Sequence, residues 1–428
     1  MDRIEEKYGA VIVGAGVAGL FCALCLPAET EILVLSKGDP EESDSFLAQG
    51  GICMLRGEED YKHYFDDTMR AGHYENDERA VELMIRSSPQ IIADLVSFGV
   101  AFARDERGEL RFTREGGHSR PRILFHDDIT GKEITSKLLK SARERRNIHI
   151  VDHTEMLDIL VASRECCGVV ARAENRIFPV YADNVLLAAG GVGGLYENST
   201  NYPILTGDAV AVALRHGIRT KHLNYVQIHP TTFFSRASGR RFLISESVRG
   251  EGAVILDKNG ERFVNELLPR DAVTSAIYAK MKEQATDCVW LDIRPVGEKT
   301  ILEHFPTIRA HCLEEGYDIL KEPIPIVPAQ HYFMGGIEVN ENGATSMPRV
   351  FAAGETACNG VHGKNRLASN SLLESLIWAK RAAAAMAKSG KQTEKPRTDL
   401  SVYENYNALK EEYKKLILSA MEKEEYCD

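Results

Sequence analysis

A chain of 428 residues, 44% hydrophobic and 27% charged, is longer than one compact core needs and reads as two or three soluble globular domains. Its formal net charge of −11 argues against a nucleic-acid partner but leaves room for a local cationic pocket. No apolar run is long enough to span a membrane, the N-terminal stretch has no export signal, and nine scattered cysteines fit reduced cytoplasmic thiols better than a disulfide framework.

Tyr8 to Val13 is an apolar run ending at Gly14, Val17 to Leu26 reads as a helix, and Glu31 to Ser36 reads as a second strand. Gly14, Gly16 and Gly19 form a G-x-G-x-x-G between that strand and helix. Such glycines allow a tight turn and bring backbone N–H groups close to a pyrophosphate at the helix N-terminus. Cys22 and Cys25 fall inside the helix and read as small apolar residues, not a redox pair. The end of the second strand reads Leu35-Ser36-Lys37, without the acid that ordinary NAD binding places there, leaving Ser36 to meet a ribose hydroxyl.

Further strand-like runs lie around Ile148, Leu157 to Ala162, Gly168 to Ala171, Phe178 to Val180 and Asn184 to Ala189, the last running into Gly190-Gly191. Cys166 and Cys167 fall at a predicted turn. A helix is expected near Asp208 to His216. From about Leu223 to Gly335 short elements alternate with Gly, Pro and Arg, which reads as an inserted domain. The first domain then resumes with Arg349 to Ala353, Gly354-Glu355 and a long Ala-rich helix from Ser371 to Lys388. A polar linker leads to a charged amphipathic segment from Tyr403 to about Glu425. Flavoproteins commonly place a glycine-acid pair such as Gly354-Glu355 at the ribityl chain of FAD, and Asn370, Ser371 and Leu372 open the following helix toward the flavin edge.

Six more segments complete the pattern: Ser45 to Gly51, Arg114 to Ser119, Gln227 to Thr231, Glu246 to Gly252, Pro328 to Gly336 and Gly363 to Ser371. With the glycine motif they resemble the succinate dehydrogenase/fumarate reductase flavoprotein superfamily, and within it the L-aspartate oxidase family, over about residues 8 to 390. The resemblance implies an α/β fold. A Rossmann-like FAD-binding domain, discontinuous over 1–222 and 335–390, would carry an inserted α+β capping domain at 223–334 and a short C-terminal helical segment at 391–428. It implies FAD held by Gly14, Gly16, Gly19, Ser36, Lys37, Ser43, Gln49, Gly50, Gly51, Gly190, Asp208, Gly354, Glu355, Asn370, Ser371 and Leu372. Asp44 stands where succinate dehydrogenases carry the histidine bonded to FAD, so a non-covalent flavin is expected. No metal is expected.

The chemistry implied is oxidation of L-aspartate to iminoaspartate with oxygen or fumarate as acceptor, the first step of de novo NAD biosynthesis. Quinolinate synthase is a candidate partner. A buried dicarboxylate needs paired cations and donors, and an arginine fork matches a carboxylate bidentately. Arg366, Arg270, His229 and His331 are the candidates, with Glu115 facing the substrate ammonium. Arg270 is expected to organise the proton transfer with help from Glu251 or Asp271, since an arginine alone is a poor base. Arg249 and Glu251 read equally as site residues or as a structural ion pair. His118 and Ser119 either contact the flavin or shape their loop. Phe125 occupies a place where relatives usually have histidine, with His126 one position late. A soluble fumarate reductase and a non-catalytic flavin-binding protein are the alternative readings.

Overall fold

The opening apolar run becomes the strand Lys7–Val13, in which Val11 and Ile12 are fully buried. A strand buried on both faces belongs inside a parallel sheet. Here it lies between the parallel strands Ile32–Leu35 and Arg176–Leu187. The computed structural model describes residues 4–237 and 239–425. Ile148–Val151 extends one side of the sheet, and an antiparallel meander of Glu165–Ala173 and Thr154–Ala162 extends the other. Val350–Ala352 comes back from late in the chain to pair in parallel with Val185, Leu186 and Leu187.

Two sequence expectations change here. Arg176–Leu187 is one strand, not two. Its first half pairs antiparallel with Glu165–Ala173 and its second half pairs in parallel with Lys7–Val13. At the changeover Asp183 meets Lys7 at 3.1 Å and Asn184 donates to Ser389 Oγ at 2.6 Å, so the polar interval is satisfied without a break. The turn predicted at Cys166-Cys167 lies earlier, where Ser163 and Arg164 take positive φ. Both cysteines are buried in the strand Glu165–Ala173.

The helix Val17–Cys25 packs against Thr130–Arg143 and Ser371–Met386. Two further helices, Glu58–Ala71 and Glu78–Ser97, complete this layer; the second is capped by Asp77, whose side chain accepts from the Ala80 N–H. None of the three helices Glu58–Ala71, Glu78–Ser97 and Thr130–Arg143 is among the elements expected from the sequence.

A second, antiparallel sheet has the order Val226–Phe233, Ile324–Phe333, Val289–Asp292 and Val254–Leu256. It encloses its own apolar core, drawn from Phe233 to Ile326. The C-terminal helix Tyr406–Glu425 buries Leu409, Tyr413 and Ile417 against the first sheet and the helix Asp208–Arg215. Among the described residues no helix is long and apolar enough to cross a membrane.

A candidate site between the two sheets

Gly14 ends the first strand with φ 113°, and a Cβ there would overlap the Ala188 carbonyl. Gly19 faces the Gly14 carbonyl so closely that it too excludes a side chain. The glycines therefore bring the helix Val17–Cys25 hard against the strand, with its N-terminus on a long pocket. Gly14→Ala meets both the backbone penalty of a positive φ, about 1–2 kcal/mol, and a clash with main chain that cannot move aside. The expected result is a less stable, colourless protein, read by thermal melting and the visible spectrum after purification.

The pocket runs from Ser36, Lys37 and Asp208 past Gly14 and Gly16 to Glu115, His229, Arg270, His331 and Arg366. Ser43, Gln49, Gly50, Gly51, Gly190, Gly354, Glu355, Ser371 and Leu372 also line it. Two expected cofactor residues do not. Gly19 acts by close packing, and Asn370 is buried with its Oδ1 accepting from Tyr64 at 2.7 Å.

Several buried polar atoms on the pocket wall have no protein partner, among them Ser43 Oγ, Asp44 Oδ2, Gln49 Oε1 and Asn201 Oδ1. Buried polar atoms are normally hydrogen-bonded. Together with the glycine cradle they fit a large polar ligand such as FAD. At the Ser36 end Lys37 Nζ meets Asp208 at 2.7 Å, and Lys410 of the C-terminal helix pairs with the same carboxylate. Burial raises both Asp44 and Glu355, and for Glu355 the charge of Asp44 adds to the effect.

At the opposite end Arg366 is buried, with Nη1 donating to Ser371 Oγ at 3.0 Å and its guanidinium 4.4 Å from the centre of the Tyr332 ring. Burial, then the charge of Arg270, pulls Arg366 down to about 10. Its Nε has no protein partner. His229 and His331 lie with ring centres 5.2 Å apart, and Thr200 Oγ1 is 2.8 Å from His331 Nδ1. Burial, then the neighbouring arginines, keeps both imidazoles neutral; for His229, His331 adds to this. Glu115 accepts from Ser369 Oγ at 2.7 Å, and burial raises its carboxyl.

Arg270 has a different partner from those expected. Its Nε donates to Glu246 at 2.6 Å and its Nη1 to Gln227 at 2.9 Å. Asp271 turns away to His73, and Glu251 turns to His304. The helix Arg270–Gln284 explains this, because consecutive residues on a helix point in different directions. The same geometry removes the Arg249–Glu251 pair: Arg249 lies 3.8 Å from Glu246 and also donates to the Glu266 carbonyl. Burial alone would raise Glu246, but Arg270 and Arg249 outweigh it and hold the carboxylate low.

Glu246 is a site residue that sequence reasoning misses, although it opens the segment Glu246 to Gly252. Its spacing to Arg249 is the available signal. Gln227, Ser369, Thr200 and Tyr332 are missed as well, since each acts by holding another side chain. His126 lies outside the pocket, 2.5 Å from the Ala101 carbonyl, and Arg111 covers the Phe125 ring. His118 is buried beneath its loop, Ser119 is exposed, and neither lines the pocket. Among the described residues no group of three or more His, Cys, Asp or Glu side chains could hold a metal.

Residues 9–372 match the family model described as FAD binding domain. The chain is 50% identical over 384 residues to an L-aspartate oxidase from Clostridium perfringens, covering 90% of this chain and 87% of that one. It is 45% identical to one from Clostridium acetobutylicum, covering 87% and 86%. A solved chain of E. coli quinol fumarate reductase superposes with a TM-score of 0.83 at 31% identity, covering 95% of this chain and 74% of that one.

Proposed function

The chain belongs to the L-aspartate oxidase family of FAD-dependent oxidoreductases, and from that premise we propose how its residues divide the oxidation of L-aspartate to iminoaspartate, the first step of NAD biosynthesis. The glycine cradle, Glu355 and the Ser371 helix end would hold FAD, which would supply the hydride acceptor and the route for electrons to oxygen or fumarate.

Arg366 takes one substrate carboxylate through its fork, and the neutral His229 and His331 donate to the other carboxylate. Glu115 faces the ammonium. The substrate is thereby held in one orientation, with Cα rather than Cβ presented for oxidation. Arg270, backed by Glu246 at 2.6 Å and by Arg249 beyond it, handles the proton lost in the reaction. The carboxylate partner keeps the largely buried guanidinium oriented and balances its charge.

The observation carrying this reading is Glu115: a partly buried carboxylate in a pocket of arginines and imidazoles, hydrogen-bonded to a hydroxyl instead of to either arginine. A plain dicarboxylate gains nothing from it, whereas an α-amino dicarboxylate requires it. The similarity to a fumarate reductase makes fumarate reduction the second reading. The reading further places the chain in the cytoplasm, with quinolinate synthase consuming the product.

The test is anaerobic mixing of the yellow protein with L-aspartate. Bleaching by L-aspartate, but not by succinate or D-aspartate, is the expected outcome. No bleaching, with fumarate reoxidising a chemically reduced sample, would replace it with the fumarate reductase reading. The pH dependence has a definite sign. Because burial raises Glu115, it becomes neutral at a higher pH than an ordinary carboxylate as acid is added. Aspartate KM is therefore expected to climb on acidification before succinate Ki does.

A further inference from the structure

Under the loop that carries Glu115 lies a charged network that takes no part in the mechanism above. Arg122 is completely buried. It grips Asp60 with Nη2 at 2.9 Å and Nε at 3.1 Å, and its Nη1 donates to Asp67 at 2.8 Å. Asp67 also accepts from the backbone N–H and the hydroxyl of Ser119, both at 2.7 Å, and pairs with Arg70 at 2.5 Å. The cluster holds two arginines and two carboxylates, so its charges balance without a ligand.

A further contact ties this cluster to the imidazole of the same loop. Arg122 Nη1 is 2.8 Å from His118 Nδ1. A guanidinium has donors only, so Nδ1 must be the acceptor and bears no proton. The proton is then on Nε2, which donates to the Ala368 carbonyl at 3.0 Å. Burial keeps the imidazole neutral down to about 4, with Arg122 adding to the effect. Ala368 lies between Arg366 and Ser369, and Ser369 holds Glu115 at 2.7 Å. The imidazole is therefore a cross-brace between two segments: Arg114 to Ser119, which carries Glu115, and Arg366 to Ser371, which carries the carboxylate fork.

We infer that the Arg122–His118–Ala368 strap fixes the position of Glu115 relative to Arg366, and so sets selectivity for a dicarboxylate bearing an α-ammonium over one without it. This rests on the reading of Glu115 as the ammonium partner. His118 and Arg122 are positioning residues, since neither lines the pocket.

The experiment compares aspartate KM with succinate Ki in FAD-loaded wild type, His118→Ala, His118→Gln and Ser119→Ala. Losing the brace lets Glu115 drift from the ammonium while Arg366 keeps its grip on carboxylate. In His118→Ala, aspartate KM is expected to rise about tenfold, the scale of one hydrogen bond to a charged group. Succinate Ki should stay within about twofold of wild type on the same scale. The Gln variant, whose amide can still donate to the Ala368 carbonyl, should recover most of the loss. Ser119→Ala, a milder cut in the same network, should shift the ratio in the same direction by a smaller factor; it decides the matter should His118→Ala fail to fold. An unchanged ratio, or equal weakening of both ligands, overturns the strap. If wild type itself shows no preference for aspartate, the functional reading fails and the strap's role in selectivity falls with it, whereas an unchanged ratio in an aspartate-selective protein overturns the strap alone.

Discussion

Arg366→Leu is expected to abolish dicarboxylate binding while leaving the protein yellow. The guanidinium is buried and held by Ser371 and Tyr332, with an unpartnered Nε left for a substrate. Breaking a buried charge pair by removing one partner costs about 3–5 kcal/mol, which corresponds to roughly 10²–10³-fold or more in affinity. Stability should respond differently. Arg366 is a desolvated cation near a second one, Arg270, and burial has already pulled it down to about 10. Replacing it with an apolar side chain removes that unfavourable contribution, so the variant should melt no lower than wild type. Arg366→Lys keeps the charge and loses the fork, so it should recover only part of the affinity. Titration with succinate, followed through the flavin spectrum, compares the affinities of all three proteins, and thermal melting compares their stabilities. Wild-type affinity in Arg366→Leu would remove the arginine from the pocket assignment.

Arg270→Leu is the second large effect, and it should appear in the chemical step. Groups that move a proton in the transition state contribute about 10²–10⁴-fold. A fall of that size is expected in the single-turnover rate of flavin bleaching, with succinate Ki changed far less. The variant also alters Glu246. In wild type the arginines outweigh burial and keep this carboxylate ionised. Without Arg270 burial prevails, and the Glu246 pKa rises. Any residual rate that needs ionised Glu246 should then lose its acid limb at higher pH than wild type. Wild-type bleaching in Arg270→Leu would remove Arg270 from the proton transfer, and a fall matched by equal loss of succinate binding would assign it to binding; either leaves the proton without a carrier.

The regular strands and the glycine motif are legible in the sequence because their signals are local. Lys7–Val13 is apolar along most of its length, and Gly14 sits where only a glycine fits. The helices Glu58–Ala71 and Thr130–Arg143 are not legible in the same way. Both are dominated by polar and charged residues, and each becomes ordered by packing one narrow apolar face on a core supplied by distant residues. Arg176–Leu187 reads as two strands in sequence because its polar interval finds partners in Lys7 and Ser389, far away along the chain.

The candidate site divides in the same way. Arg366, Arg270, His229, His331 and Glu115 stand in distinctive motifs, and all five line one pocket. What each of them touches cannot be read in sequence order. The partner of Arg270 is 24 residues upstream and not its neighbour Asp271. Glu115 is held by Ser369, 254 positions away, and the brace beneath it spans 250 positions between His118 and Ala368. A motif records which groups a reaction needs, because backbone conformation and chemical type are properties of single residues. Hydrogen bonding, desolvation and charge pairing depend on separations of a few ångströms, and only the folded chain sets those distances.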